Sequence, residues 1–176
     1  TSSDSFSGID KIWYNINNKG YQEYTGRITF YNEPDGQQII EYYAVDNASN
    51  KEEKKSVTLN IDWSDPIIRV LKPADNTLYF CNIPLFSFLN RTIIIGFVNS
   101  EYEIVDNVSG LSKVEFYLDN DLIKTDYDPP FKFIISGRNI GGLSVIKVKA
   151  YDQAGRTSKL QQYVTLSSFG LFSFIN

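Results

Sequence analysis

Short runs in which apolar and polar residues alternate recur along the whole chain, and they constrain its fold more than any other feature. Successive side chains of a β-strand point to opposite faces of the sheet, so a period of two is typical of strands with one buried face. Such runs cover residues 9–15, 20–24, 26–31, 37–45, 56–62, 67–72, 92–98, 111–118, 131–135, 145–151 and 160–166. Helical spacing of apolar residues is hard to find without an interrupting Gly, Pro or Asn.

Turn-forming residues separate these runs, as in Pro34-Asp35-Gly36 and Asp119-Asn120-Asp121. The chain is also 15% aromatic, with 12 Tyr, 12 Phe and 2 Trp, and flat rings pack well against cross-strand neighbours in a sheet. Strands at this spacing, with turn signals between them, predict an all-β sandwich.

Two stretches of sequence occur twice in the same order. Residues 4–12, DSFSGIDKI, match residues 106–114, DNVSGLSKV, and residues 42–50, YYAVDNASN, match residues 148–156, VKAYDQAGR. We therefore expect two tandem copies of one module, over residues 1–62 and 66–176, joined near Pro66. Residues 66–105 precede the repeated element in the second copy, whereas almost nothing precedes it in the first. The first copy is thus expected to lack its leading strands, or to receive them from upstream residues or from elsewhere.

The alternation also assigns side chains to faces. Ile12 and Tyr14 are predicted to point into the core of the first copy together with Ile40, Tyr42 and Ala44. Their counterparts in the second copy are Val114, Phe116, Ile146, Val148 and Ala150. In each copy the Asp-x-x-Ser-Gly element is expected to form a hydrogen-bonded loop with Asp4 or Asp106 as acceptor and Gly8 or Gly110 at its tight point.

The pattern Asp-x-x-Ser-Gly, followed by an alternating strand and later by Ala-x-Asp-x-Ala, resembles the tandem Ig-like repeats of archaeal and bacterial cell-surface or secreted proteins. The stretch from Lys113 to Asn120, followed by Asp128-Pro129-Pro130-Phe131, is similar to a recurrent segment of the same modules. This resemblance implies two tandem Ig-like β-sandwich domains and an extracellular or cell-surface location. It also implies a structural or adhesive spacer role, with neighbouring domains of the same polypeptide as partners. Arg156 departs from the pattern, since the family usually has Asn there.

Several classes of function are disfavoured by what the sequence lacks. It has no His and a single Cys, Cys81, so His-based triads and thiol metal clusters are excluded, and we expect no catalysis. A net charge of −4 argues against nucleic-acid binding. The apolar stretch 78–98 is interrupted by Asn82, Pro84 and Arg91, and the ending, 169–176, is too short to cross a bilayer. No membrane span is therefore expected.

Acidic residues suggest a cation site. In an Ig-type sandwich, the loops that contain Asp106 and Asp152 lie at one end, which the second module enters from Asp62 and Asp65. Carboxylates that converge at the junction of the two modules would suit Ca²⁺, which takes six to eight oxygen ligands. The alternative is that Asp is simply a common turn residue and that no cofactor is required.

Trp13 and Tyr43 suggest a second type of site. The alternation places both side chains on the outer face of the first copy, where aromatic rings could stack on a sugar. This predicts an accessory module that binds surface glycans or proteins. The alternative is that Trp13 packs on absent strands, on a loop or on the second copy.

Overall fold

The computed structural model describes residues 7–136 and 142–168, and all of their regular structure is β. Contacts divide the chain into two units, Thr1–Trp63 and Ser64–Asn176. Asp4 and the apolar ending, 169–176, lie outside the described residues.

The first unit forms one antiparallel sheet in its described part. Its strands are β1 (Ile9–Ile16), β2 (Gln22–Glu23), β3 (Gly36–Asp46) and β4 (Lys55–Ile61), in the order β2-β1-β3-β4. The strand predicted over 26–31 is wrong. Gly26 has a φ of 152°, outside the strand region, and residues 26–31 pair with no strand of the described chain.

The central pair of antiparallel strands in this sheet is β1 and β3. Ile12 lies opposite Ala44, and Tyr14 lies opposite Tyr42. The register shifts once, between Ile9 and Lys11, and the amide of Asn47 donates a 3.1 Å hydrogen bond to the carbonyl of Gly8. The residues predicted to point inward therefore do share one face of the sheet.

That face is not covered by a second layer in the described residues. An open groove of about 410 Å³ runs along this face, bordered by Tyr24 and Ile28 from the segment after β2. Its other lining residues are Ile12, Tyr14, Ile40, Tyr42 and Val57. The expectation that both copies bury this face between two layers holds only in part for the first unit, where Ile40 and Ala44 are buried but Ile12, Tyr14 and Tyr42 are half-buried. The reason is that its described residues supply only one sheet.

The second unit contains two sheets. Its strands are β5 (Ile67–Lys72), β6 (Leu78–Phe80), β7 (Ile83–Phe86), β8 (Thr92–Ile95), β9 (Phe97–Val105), β10 (Leu111–Leu118), β11 (Asp121–Asp126), β12 (Phe131–Ser136), β13 (Gly142–Asp152) and β14 (Thr157–Ser167). Seven strands form one sheet in the order β11-β10-β13-β14-β8-β6-β7, and three form the other in the order β12-β9-β5.

One predicted strand is divided between these sheets. The run 92–98 is interrupted at Gly96, whose φ of 86° suits a residue without Cβ. Residues before it belong to β8 of the seven-stranded sheet, and residues after it belong to β9 of the three-stranded sheet. Alternation alone could not locate this change of sheet, because it continues on both sides.

The core of the second unit fills the space between its two sheets. Phe116 is fully buried, with its ring centroid 5.6 Å from that of Tyr102 and 4.9 Å from that of Phe133. The five side chains predicted to point inward are all completely buried. They pack with Val98, Ile104, Phe131, Ile135 and Val164 in one continuous cluster. The predicted all-β sandwich class is confirmed.

Candidate functional site

Two loops of the second unit bring a pair of carboxylates together. Asp106 follows β9, and Asp152 is the last residue of β13. Asp152 lies opposite Leu111 at the start of β10, and the amide of Gln153 donates a 3.0 Å hydrogen bond to the carbonyl of Gly110. These contacts tie the loops to each other, and a carboxylate oxygen of Asp106 lies within 4.8 Å of one of Asp152.

Asp106 shapes its own loop. Its Oδ1 accepts hydrogen bonds from the amides of Val108, at 3.2 Å, and Gly110, at 2.7 Å. Gly110 has a φ of 82°, which disfavours residues with a Cβ. The hydrogen-bonded loop predicted from the Asp-x-x-Ser-Gly element is present here. Oδ1 of Asp106 thus stabilises the turn, as expected from the interpretation that this Asp is a common turn residue.

Asp152 is the more unusual member of the pair. Asp152 is almost completely buried, with a relative exposure of only 3%. Oδ1 accepts a 2.8 Å hydrogen bond from the amide of Arg156, whereas Oδ2 is buried and has no hydrogen-bond partner in the described residues. A buried polar atom without a partner is costly, and more so when the group is charged.

The equivalent carboxylate of the first unit, Asp46, has a full set of partners. Its Oδ1 accepts from the amides of Ala48 and Asn50, and its Oδ2 accepts from the Asn50 side chain at 2.8 Å and the Ser7 hydroxyl at 2.9 Å. The Asn50 side chain is the main reason that the pKa of Asp46 is lowered, and it outweighs the opposing effect of desolvation. Arg156 replaces this Asn in the second unit.

The other two predicted metal ligands have different surroundings. Asp65 is exposed, and its Oδ1 lies 3.4 Å from Nη1 of Arg156. It also lines a cavity of about 100 Å³ together with Asp106 and Asn107. Asp62 belongs to the first unit and directly follows β4. A junction site built from all four carboxylates stays a prediction.

Trp13 and Tyr43 lie directly opposite each other on β1 and β3. Both side chains are half-buried, the ring centroids of Tyr43 and Tyr21 are 5.1 Å apart, and Nζ of Lys51 lies 4.0 Å from the Tyr43 centroid. A sugar could stack on this face of Tyr43 only if Lys51 moved aside. The glycan site stays a prediction, which a glycan array with the wild type and Trp13→Ala would test.

Sequence reasoning missed a charged network on β10. Glu115 accepts hydrogen bonds from Nζ of Lys113 at 2.6 Å and from the hydroxyls of Tyr117 and Tyr151 at 2.7 Å each. Burial alone would raise the pKa of Glu115, but these donors together outweigh it and lower the pKa to about 2. The hydrogen bond that the Tyr117 hydroxyl donates to Glu115 raises the pKa of Tyr117 to about 12. The alternation of Lys113, Glu115 and Tyr117 on one face was the available signal.

Comparisons with known proteins find similarity only among solved structures. No family model matches the sequence, and no curated protein matches it. Among solved structures, the chain is similar to the fibronectin(III)-like modules of Clostridium thermocellum CbhA, with 15% identity, coverage of 99% of this chain and 87% of that chain, and a TM-score of 0.48. Within residues 7–136 and 142–168, no helical segment has the length and hydropathy needed to cross a bilayer.

Proposed function

We propose that this chain is a non-catalytic structural segment of a larger extracellular or cell-surface protein, built from two tandem modules of one type. The single observation that supports it most is the match between the central strand pairs, β1–β3 and β10–β13. Ile12 pairs with Ala44 as Val114 pairs with Ala150, and the one register shift of each pair lies at the same place, between Ile9 and Lys11 and between Leu111 and Lys113. The amides of Asn47 and Gln153 also bond to the carbonyls of Gly8 and Gly110 in the same way.

The architecture suits a spacer. The second unit has a continuous core between two sheets, so it keeps its shape without disulfides; its one cysteine, Cys81, is free. Only residues 62–66 separate the end of β4 from the start of β5, and they include Pro66, which restricts the backbone.

A replacement experiment tests the spacer role in the full polypeptide that carries this segment. An unrelated pair of β-sandwich modules of the same length should preserve the activity of the parent protein. A Gly/Ser linker with the same number of residues should reduce it, because such a linker is a flexible coil. Loss of activity with both replacements would contradict the proposal and would point to a specific binding role.

A second candidate function, protein binding, is favoured by the open apolar groove of the first unit. In the second unit, the equivalent face is covered by β5, β9 and β12. In the first unit, Ile40 is buried, but no second sheet of the described residues covers the groove around Tyr14 and Tyr42. The occupant we propose is a strand-forming polypeptide segment that completes the sandwich. The chemistry required is an alternating apolar face like that of β9, which carries Val98 and Tyr102.

This candidate can be tested by fusing an extra copy of residues 66–105 before Thr1. The extra strands should slow the exchange of the Ile40 and Tyr42 amides at least about tenfold, because a covered sheet opens less often. A matched fusion, with Val98 and Tyr102 of the extra copy changed to Asp, should not. Equal exchange in both fusions and in the parent chain would exclude this occupant.

A further inference from the structure

The buried Oδ2 of Asp152 has no hydrogen-bond partner in the part of the chain that the structure describes. It lies in a side chain with 3% relative exposure, and a carboxylate oxygen of Asp106 lies within 4.8 Å of one of its oxygens. Neither carboxylate forms an ion pair with a cationic side chain among residues 7–136 and 142–168. Two like charges at this separation repel, and burial strengthens the repulsion.

The first unit shows how such a carboxylate is satisfied from within the protein. Both oxygens of Asp46 accept hydrogen bonds, and Asn50 donates two of them. At the matching position of the second unit, the amide of Arg156 still donates to Oδ1 of Asp152. The Arg156 side chain instead extends to Asp65, and no other described residue donates a hydrogen bond to Oδ2 of Asp152.

We propose that the carboxylates of Asp106 and Asp152 bind one Ca²⁺ within the second unit. Ca²⁺ binds oxygen at 2.3–2.6 Å, so two of its ligands can lie up to about 5 Å apart, as these do. The remaining ligands would be waters and neutral oxygens from the Asp106 loop, where Asn107 lines the adjacent cavity. The ion replaces the donor that Asn50 supplies in the first unit.

The site lies in the second unit alone and does not require Asp62. Extracellular modules bind Ca²⁺ with dissociation constants of about 10⁻⁴–10⁻³ M. The occupancy of this site in the intact protein therefore rests on the proposed extracellular location. Binding in a purified sample does not depend on that location. The two proposals can therefore fail separately.

Calorimetric titration of the EDTA-treated, dialysed chain with CaCl₂ tests the site. We expect one ion per chain and a thermal midpoint that rises with Ca²⁺ concentration, because the ion binds the folded state. Asp152→Asn should weaken the affinity at least tenfold. Without Ca²⁺, the same variant should unfold at an equal or higher temperature, because it removes a repulsive charge.

Asp46→Asn is the matched control. It alters a carboxylate whose oxygens are both occupied, so it should lower stability while leaving the Ca²⁺ affinity unchanged. The absence of binding up to about 10 mM Ca²⁺ would overturn the proposal. So would unchanged affinity in Asp152→Asn, a lower thermal midpoint of this variant without Ca²⁺, or equally tight binding of Mg²⁺.

Discussion

The strand pairs β1–β3 and β10–β13 have the same register but different surroundings. β3 lies between β1 and β4, and β13 lies between β10 and β14, so both are central strands of antiparallel sheets. Of these two strand pairs, only β10–β13 faces another sheet in the described residues. Val148 is accordingly fully buried, whereas its counterpart Tyr42 is half-buried; Ala44 and Ala150 are both buried, with relative exposures of 8% and 0%.

This comparison separates two contributions to stability. The loops at the end of each strand pair depend on local features that both units share. These are a glycine with positive φ, Gly8 or Gly110, and a carboxylate that accepts backbone hydrogen bonds, Asp46 or Asp152. The buried core depends on strands distant in sequence, which the second unit has. Mutations in equivalent residues should therefore have equal effects where the cause is local, and unequal effects where it is the core.

The largest difference is expected for the aromatic pair Phe116 and Tyr14. Phe116→Ala should destabilise the second unit by about 3–5 kcal/mol, because it empties a fully buried site. Tyr14→Ala should cost the first unit about 1 kcal/mol, since its side chain lines an open groove. Chemical denaturation can follow the first unit through tryptophan fluorescence, because Trp13 and Trp63 both belong to it. Equal losses would show that the first unit has a core of its own.

The Glu115 network should give the next largest effect. Glu115→Gln is expected to destabilise the second unit at pH 7 by about 2 kcal/mol, because it weakens charge-assisted hydrogen bonds. Since the pKa of Glu115 is lowered to about 2, its ionised form contributes stability above the unfolded pKa, about 4.3, which is lost as the pH falls through the folded pKa.

Denaturation of the wild type and Glu115→Gln between pH 7 and pH 2 tests this sign. The difference between them should shrink as the pH falls. Trp13 occupies the equivalent position in the first unit and cannot titrate, so Trp13→Phe serves as the pH-independent counterpart. A difference that grew in acid would contradict the assignment of the network.

Gly110 and Gly8 should show a smaller effect that is alike in both units. Both have positive φ angles, 82° and 75°, and an added Cβ would lie 3.5 Å and 3.4 Å from the nearest neighbouring side-chain atom. The backbone strain of an L-residue there is about 1–2 kcal/mol. Alanine at either position should therefore destabilise its own unit by about that amount, as measured by urea denaturation. A cost confined to one unit would show that the two loops differ.

Exposed ion pairs should give the smallest effect. Lys11–Glu23 and Arg69–Glu103 each have a nitrogen–oxygen distance of 3.3 Å, and all four side chains are at least 43% exposed. Replacing Lys11 or Arg69 with Gln should change stability by less than about 0.5 kcal/mol in either unit, because solvent and salt screen such pairs. A change above 1 kcal/mol in one unit would reveal coupling to its core.

Much of the strand pattern could be predicted because alternation and turn residues are local signals. The inward set around Val114 and Phe116 followed directly from the period of two. The break at Gly96 could not be predicted, because the choice of sheet depends on contacts far along the chain. The open groove around Tyr14 does not follow from alternation, which is the same as in a covered face; the sequence signal for it is that the two repeats are unequal in length.

For the candidate site, the sequence indicated Asp106 and Asp152 through the order of strands in a sandwich. Among the described residues, Oδ2 of Asp152 has no hydrogen-bond partner, and the Arg156 side chain extends to Asp65 instead. The spacing of residues in the sequence does not reveal the direction of that side chain. The Glu115 network was missed for a similar reason. Tyr151 reaches it from a different strand, β13, and its approach depends on the pairing register.

Amide hydrogen exchange in the two central strands tests the main conclusion most directly. The amides of Val148 and Ala150 should exchange only through global unfolding of the second unit. Those of Ile40 and Tyr42, equally placed between paired strands, should exchange at least about 100-fold faster, which corresponds to about 3 kcal/mol less stability. Equal protection in β3 and β13 would contradict the account, because it would mean that the first unit is stabilised as well as a complete sandwich.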